Sequence, residues 1–341
     1  MKTFEPHPLL RNPHAQTLAA TFLPRRFPRL PRSVPRDFEI EPGTRIRGEC
    51  HWQPVPRERP TLVLVHGLEG SSDSGYMLGL AERAFVAGWN AVRLNQRNCG
   101  GTESLTATLY NSGLSGDYRA VLAELIERDT LPRIFVAGYS MGGNLVLKMA
   151  GEFAGAAPPE LRGVAGVCAT VELAASADAI ALPGNFIYER HFVIGLKRRM
   201  RRKALLFPGK FDLAPLARVR SVREFDDAIT ARYCGFRDAT DYYSRSSALR
   251  VAGGIQVPTL IVTAQDDPFV PFASFSDPAL ANNAHVRIVA PERGGHCAFI
   301  SRCAGDARFW AEACVMEFFT NHESQNSSPV NSGGTIPEFQ G

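Results

Sequence analysis

Short runs of unbroken apolar residues alternate along this chain with longer stretches in which apolar positions recur every three or four residues. Thr61–Val65 is a run of the first kind, the pattern of a strand buried on both faces, and Asn90–Leu94, Ile134–Ala137, Val164–Cys168, Thr259–Thr263 and Val286–Val289, mostly apolar though Arg93 and Arg287 interrupt two of them, read as the strands that follow. Stretches of the second kind lie between them. Leu114, Tyr118, Val121, Leu122 and Leu125 mark an amphipathic helix over Ser115–Arg128, Tyr76–Ala87 a helix ended by Gly88, and Met141–Phe153 another. Two further strands, Asp37–Ile40 and Thr44–Trp52, precede the alternation. Strand following helix in this order implies a mostly parallel, doubly wound α/β sheet.

The alternation accounts for residues 37–170 and 258–320 and fails in between. Residues 171–257 carry Phe186, Tyr188, Phe192, Leu196, Phe207, Phe211 and Phe225 among many Arg and Lys. This segment reads as a helical cap inserted over the C-terminal edge of the sheet, where open α/β sheets bind their ligands. Phe186 and Phe192 are the cap residues expected to line a substrate pocket. Residues 1–36, rich in Pro and Arg without a clear period, read as an arm over the domain, and 321–341 as a disordered Ser/Asn/Gly/Pro-rich tail.

Composition narrows the class. Hydrophobic residues are 45% and charged residues 21%, the balance of a globular chain with a sizeable core. A net charge of +4 is too small to argue for a nucleic-acid partner. No apolar run is long enough for a membrane span, and no signal-peptide pattern opens the chain. Seven cysteines without a Cys-x-x-Cys suggest free thiols in a reducing cytoplasm, with neither a structural metal nor a cofactor.

The chemistry concentrates in three places. Gly138-Tyr139-Ser140-Met141-Gly142 follows an apolar strand and opens a helix, the setting in which a Gly-x-Ser-x-Gly turn lifts a serine hydroxyl clear of a sheet as a nucleophile. His66-Gly67-Leu68-Glu69-Gly70 follows the first buried strand. Acyl transfer needs two backbone N–H donors at the developing oxyanion, and Leu68 and Met141 are the candidates. His66 is read as ordering its loop, because a better base is His296 in Arg293-Gly294-Gly295-His296-Cys297. After the preceding strand comes Gln265-Asp266-Asp267-Pro268-Phe269-Val270-Pro271. Two carboxylates compete there to orient the imidazole, and Asp267 is favoured because Ala264 through Pro271 resembles the Gly/Ala-x-x-Asp-x-x-x-Pro usual in hydrolases of this fold. Ser140, Asp267 and His296 then stand in the chain order of an α/β-hydrolase triad. A metallohydrolase is disfavoured, and a non-catalytic binding protein would have no need of all three groups in order.

Beyond these residues the sequence resembles the α/β-hydrolase 4 group, the YheT-like hydrolases. The likeness rests on Asn12-Pro13-His14-Ala15-Gln16-Thr17, Asn95–Gly101, Tyr110-Asn111-Ser112-Gly113, and Glu224-Phe225-Asp226-Asp227 leading to Gly235-Phe236 and Asp241-Tyr242-Tyr243. The resemblance implies an α/β-hydrolase fold and ester chemistry on a small-molecule ester or lipid: a carboxylesterase, or alternatively an alcohol O-acyltransferase using the same residues. Where relatives commonly have Arg-Gly, this chain has Arg97-Asn98. For Asn12–Thr17 only packing of the arm is expected. Lys197–Lys203 places six cations in seven residues; a solvated helix face is the preferred reading, with weak contact to a membrane surface the other. Cys297 is read as a small buried filler.

Overall fold

The computed structural model describes residues 3–327. One eight-stranded sheet organises them: β1 (Val34–Glu41), β2 (Thr44–His51), β3 (Thr61–Val65), β4 (Asn90–Leu94), β5 (Ile134–Tyr139), β6 (Leu161–Val167), β7 (Thr259–Val262) and β8 (Val286–Val289). Their order is β1-β2-β4-β3-β5-β6-β7-β8. β1 and β2 form an antiparallel hairpin, β2 runs antiparallel to β4, and β4 through β8 are parallel. The doubly wound, mostly parallel sheet expected from the alternation is therefore the observed fold.

Burial on both faces explains the apolar runs of the central strands β3 and β5. Val63, Val65 and Val136 point into one core layer with α3 (Ser115–Glu127) and α4 (Met141–Phe153). Leu62, Leu64 and Phe135 point into the other, with α2 (Gly75–Val86) and α11 (Trp310–Ser327). Residues 171–257 break the rhythm as helices: α5 (Leu173–Ile180), α6 (Phe186–Leu206), α7 (Val222–Phe225) running through a π-helical turn, Asp226–Ala231, into α8 (Arg232–Cys234), and α9 (Ala239–Ser246). A capping box starts α7, Ser221 and Glu224 each accepting the other's backbone N–H. The chain returns to the core through Ala252, Ile255 and Val257, and α10 (Pro278–Ala281) joins β7 to β8.

Two expectations need correction. The arm contains a helix, α1 (Pro13–Phe22), capped by the Asn12 side chain, which accepts from the His14 and Ala15 amides. Its buried residues are polar, Gln16 and Thr17, while Leu18 and Phe22 are exposed, so no apolar stripe announced it. The expected tail does not begin at 321. α11 continues to Ser327 because His322 packs on the Phe318 ring at 4.2 Å and Glu323 pairs with Arg133 at 3.0 Å. Residues 328–341 of that segment lie outside the described residues. Among the described residues no helix is long and apolar enough to cross a membrane.

Candidate active site

Ser140 sits between β5 and α4 with φ 53° and ψ −119°, a left-handed conformation that strains any residue with a side chain. The turn is tight enough that a Cβ on Gly138 would run into the Gly142 carbonyl, and one on Gly142 into the carbonyls of Val65 and His66. Glycine is thus required on both sides of Ser140. α4 starts at Met141, so the positive end of its backbone dipole lies at the serine.

His296 follows β8 and Asp267 follows β7, and the structure brings them together. His296 Nδ1 donates to Asp267 Oδ2 at 2.8 Å and stands 3.1 Å from Oδ1. Asp267 Oδ1 also accepts the Phe269 and Val270 amides at 2.8 and 3.1 Å, so the carboxylate is fixed before the imidazole meets it. Burial opposes charge on the ring, but the adjacent Asp267 outweighs it and raises the His296 pKa well above its usual 6.5. Asp266 turns away and accepts the Gly295 amide at 2.9 Å. It ties the two loops together, and of the two carboxylates Asp267 is the one that contacts the ring.

The β3 loop completes the surroundings. His66 is fully buried, its Nδ1–H donating to the Gly67 carbonyl at 2.8 Å and its Nε2 accepting the Gln96 amide at 3.1 Å. Burial lowers its pKa to about 4, so it stays neutral and orders the loop. Glu69 accepts from Tyr110 Oη at 2.8 Å and from Arg199 Nε of α6 at 2.9 Å. Lys203, one helical turn on, is wholly buried and donates to Asn98 Oδ1 at 2.5 Å and to the carbonyls of Glu103 and Thr106. Its burial lowers its pKa to about 8. The basic run is therefore not simply a solvated face: Arg199 and Lys203 point inward and clamp α6 to the loops after β3 and β4. Asn98 holds a left-handed φ of 66°, which Asn tolerates better than other side chains, and its amide gives Lys203 an acceptor that glycine would lack.

Ser140, Met141, Leu68, His296 and Phe192 line one cavity. Phe186, expected beside Phe192, is 60% exposed at the start of α6 and does not line it. The two lie six residues apart, so a helical turn of 100° per residue sends them to different faces. Cys168, His296 and Cys297 have ligand atoms within 4.8 Å of one another. The thiols are engaged with backbone: Cys168 Sγ accepts the Cys297 amide at 3.2 Å, and Cys297 Sγ faces the Val167 carbonyl at 3.7 Å.

A family model described as the alpha/beta hydrolase fold matches residues 60–302. The chain belongs to the α/β-hydrolase family. It is 32% identical over 318 residues to a protein of Escherichia coli (strain K12) named "Putative esterase YheT", covering 91% of each chain. It is 28% identical to "Phospholipase ABHD3" of Mus musculus, covering 71% of this chain and 59% of that one. Among solved structures, the Pyrococcus furiosus esterase Pf2001 superposes with a TM-score of 0.58 at 14% identity, over 95% of this chain and 98% of its own. The YheT-like resemblance and the expectation of an esterase-type α/β hydrolase stand at this level.

This α/β hydrolase also uses its N-terminal helix, which sequence reasoning left without a chemical role. The His296 amide donates to Thr17 Oγ1 at 2.9 Å. Gln16, fully buried, donates to the Ile300 carbonyl at 3.1 Å and accepts its amide at 2.9 Å. Just before the first of these anchors Gly295 turns at φ 59°, where a Cβ would stand 2.6 Å from the Pro13 carbonyl. Ring contacts make a second path: His14 on Tyr188 at 5.8 Å, Tyr188 on Phe269 at 4.7 Å, Phe269 on His296 at 4.7 Å. No periodicity signals this; the only trace in the sequence is a polar hexapeptide far from the other motifs.

Proposed function

We propose that the protein is a carboxylesterase that works through an acyl-enzyme on Ser140, with His296 as general base and Asp267 orienting it. The observation that carries this reading is a strained serine sharing one cavity with a histidine whose far nitrogen is held by a buried carboxylate. In the first half-reaction Ser140 Oγ bonds to the ester carbonyl carbon and its proton passes to His296 Nε2. The N–H groups of Leu68 and Met141 receive the oxyanion. Collapse breaks the C–O bond, and the alcohol leaves with the proton from His296. Water, deprotonated by His296, then adds to the acyl carbon; collapse breaks the bond to Ser140 Oγ, which takes the proton back from His296 as the acid leaves.

The test is Ser140→Ala with p-nitrophenyl esters of two to sixteen carbons, alongside labelling by a fluorophosphonate. Turnover should fall on the order of 10⁴-fold or more and labelling should vanish. Retention of more than about a tenth of the activity refutes the assignment. A second reading, transfer of the acyl group to an alcohol, has support in the largely apolar walls of the cavity, among them Leu68, Leu173, Ile180, Phe192 and Phe225. One relative, in Saccharomyces cerevisiae, is named "Medium-chain fatty acid ethyl ester synthase/esterase 2". Product analysis with added ethanol measures the split.

The proposed substrate is a small-molecule ester or lipid, and the outer face of α6 bears on how a lipid would arrive. Ile187, Ile194 and Leu205 are exposed on this helix together with Arg198 and Arg201. Apolar and cationic residues on one exposed face suit the surface of an anionic bilayer.

A further inference from the structure

Among the described residues one carboxylate lines the largely apolar cavity beside Ser140, and the acyl-enzyme chemistry does not use it. Asp226 supplies it from the π-helical turn after α7, and single π-helical turns recur at functional sites. Its Oδ1 accepts Thr230 Oγ1 at 2.7 Å and its Oδ2 accepts Tyr243 Oη at 2.8 Å. One donor per oxygen leaves a carboxylate with capacity for about two more. Among the described residues no Lys, Arg or His forms an ion pair with it: Arg223, one turn earlier, goes instead to Asp178 at 2.5 Å.

Two hydroxyls in the same cavity are also unclaimed. Thr170 Oγ1 and Ser176 Oγ are buried without a hydrogen-bond partner, and buried hydroxyls seldom remain so. Thr170 lies directly behind the nucleophile, its amide donating to the Ser140 carbonyl at 3.3 Å. Ser176 shares the inner face of α5 with Leu173, Ala177 and Ile180. Arg223 holds α5 against α7 through Asp178 and through the Ala174 carbonyl at 3.5 Å.

We propose that Asp226, with the hydroxyls of Ser176 and Thr170, forms a polar subsite for a hydrogen-bond donor, a hydroxyl or protonated amine, carried on the chain of the ester substrate. This rests on the esterase reading and narrows it to esters whose acyl or alcohol half bears such a group. Burial pushes the Asp226 carboxyl up to about 6, so near neutrality the carboxylate is present to accept. An uncharged hydrocarbon chain entering the cavity would instead strip water from the carboxylate and return nothing.

The experiment compares kcat/KM for matched esters on the full chain: p-nitrophenyl hexanoate against its 6-hydroxy and 6-amino derivatives for the acyl half, and hexyl acetate against 6-hydroxyhexyl and 6-aminohexyl acetate for the alcohol half. At least one donor-bearing ester should exceed its plain counterpart by about tenfold, the effect of one charge-assisted hydrogen bond. The hydroxyl and amine arms distinguish which donor the subsite takes. In Asp226→Asn that ratio should fall to within about twofold of one, and Ser176→Ala, which leaves the Tyr243–Asp226–Thr230 tie in place, should lower it in the same direction. Plain esters preferred in both halves by the wild type, or a donor preference unchanged in both variants, overturns the subsite. Failure of the parent reading looks different: no ester in the panel is turned over and Ser140 is not labelled, and the subsite falls with it.

Discussion

Thr17→Val removes one hydroxyl from a helix that touches no substrate, yet it should slow turnover. The His296 amide donates to Thr17 Oγ1 at 2.9 Å, and Thr17 is 7% exposed. Valine fills nearly the same volume without an acceptor, so the amide is left buried and unpaired, at roughly 1–3 kcal/mol. The loop either bears that penalty or relieves it by moving, and movement displaces the imidazole from Ser140. If the whole of it appears in the transition state, turnover falls about 5- to 150-fold, since 1.36 kcal/mol is tenfold in rate. KM should change little, because Thr17 does not line the cavity. The assay is steady-state hydrolysis of p-nitrophenyl butyrate by Thr17→Val and Thr17→Ser, with thermal melts alongside. Thr17→Ser keeps the oxygen and should recover most of kcat, which a purely structural role would not require. Wild-type kcat in Thr17→Val, or equal impairment of both variants, refutes the positioning role of α1.

Four further outcomes are expected. Asp267→Asn should cost on the order of 10⁴ in kcat, whereas Asp266→Asn, losing only a loop contact to Gly295, should cost far less; the reverse ranking would show that the ring partner is misassigned. Because Asp267 raises the His296 pKa, kcat/KM should fall as pH drops through that raised value, and the residual activity of Asp267→Asn should show its acid limb at lower pH. Asp226 has a folded pKa of about 6, above the ordinary 3.8, so its favourable contribution is present below the unfolded value and lost as pH rises through 6; thermal melts should show Asp226→Asn gaining on the wild type across pH 4–6, and a constant difference would contradict the burial argument. Sedimentation with anionic vesicles should retain the wild type more than an Ile187→Glu/Leu205→Glu variant, and equal retention would remove α6 as a lipid-facing surface.

What the sequence discloses and what it hides follow from the range of the interactions involved. The strands were legible because burial on both faces forces unbroken apolar runs, and Ser140 was legible because the elbow demands glycine at 138 and 142 in the primary sequence. Asp267 and His296 were legible through spacing after their strands. Illegible were the groups whose role depends on a partner a hundred or more residues away. Thr17 meets His296, Arg199 meets Glu69 and Lys203 meets Asn98, and in each case the local sequence is equally compatible with a solvated surface. The basic run shows why a charge run misleads. Arg199 and Lys203 are one helical turn apart and share a face, so the tertiary contact selects them from six cations that composition treats alike. Asp226 is hidden for a different reason, since its partners Thr230 and Tyr243 lie only 4 and 17 residues on. Its neighbour Asp227 is exposed and accepts only the Ala239 amide, while Asp226 turns into the cavity to meet Thr230 and Tyr243. A π-helical turn rotates successive residues by less than an α-helical one, so an α-helical wheel drawn through this segment assigns the faces wrongly. The carboxylate proposed to select substrate thus sits where helical periodicity breaks down, and only the folded chain tells the two aspartates apart.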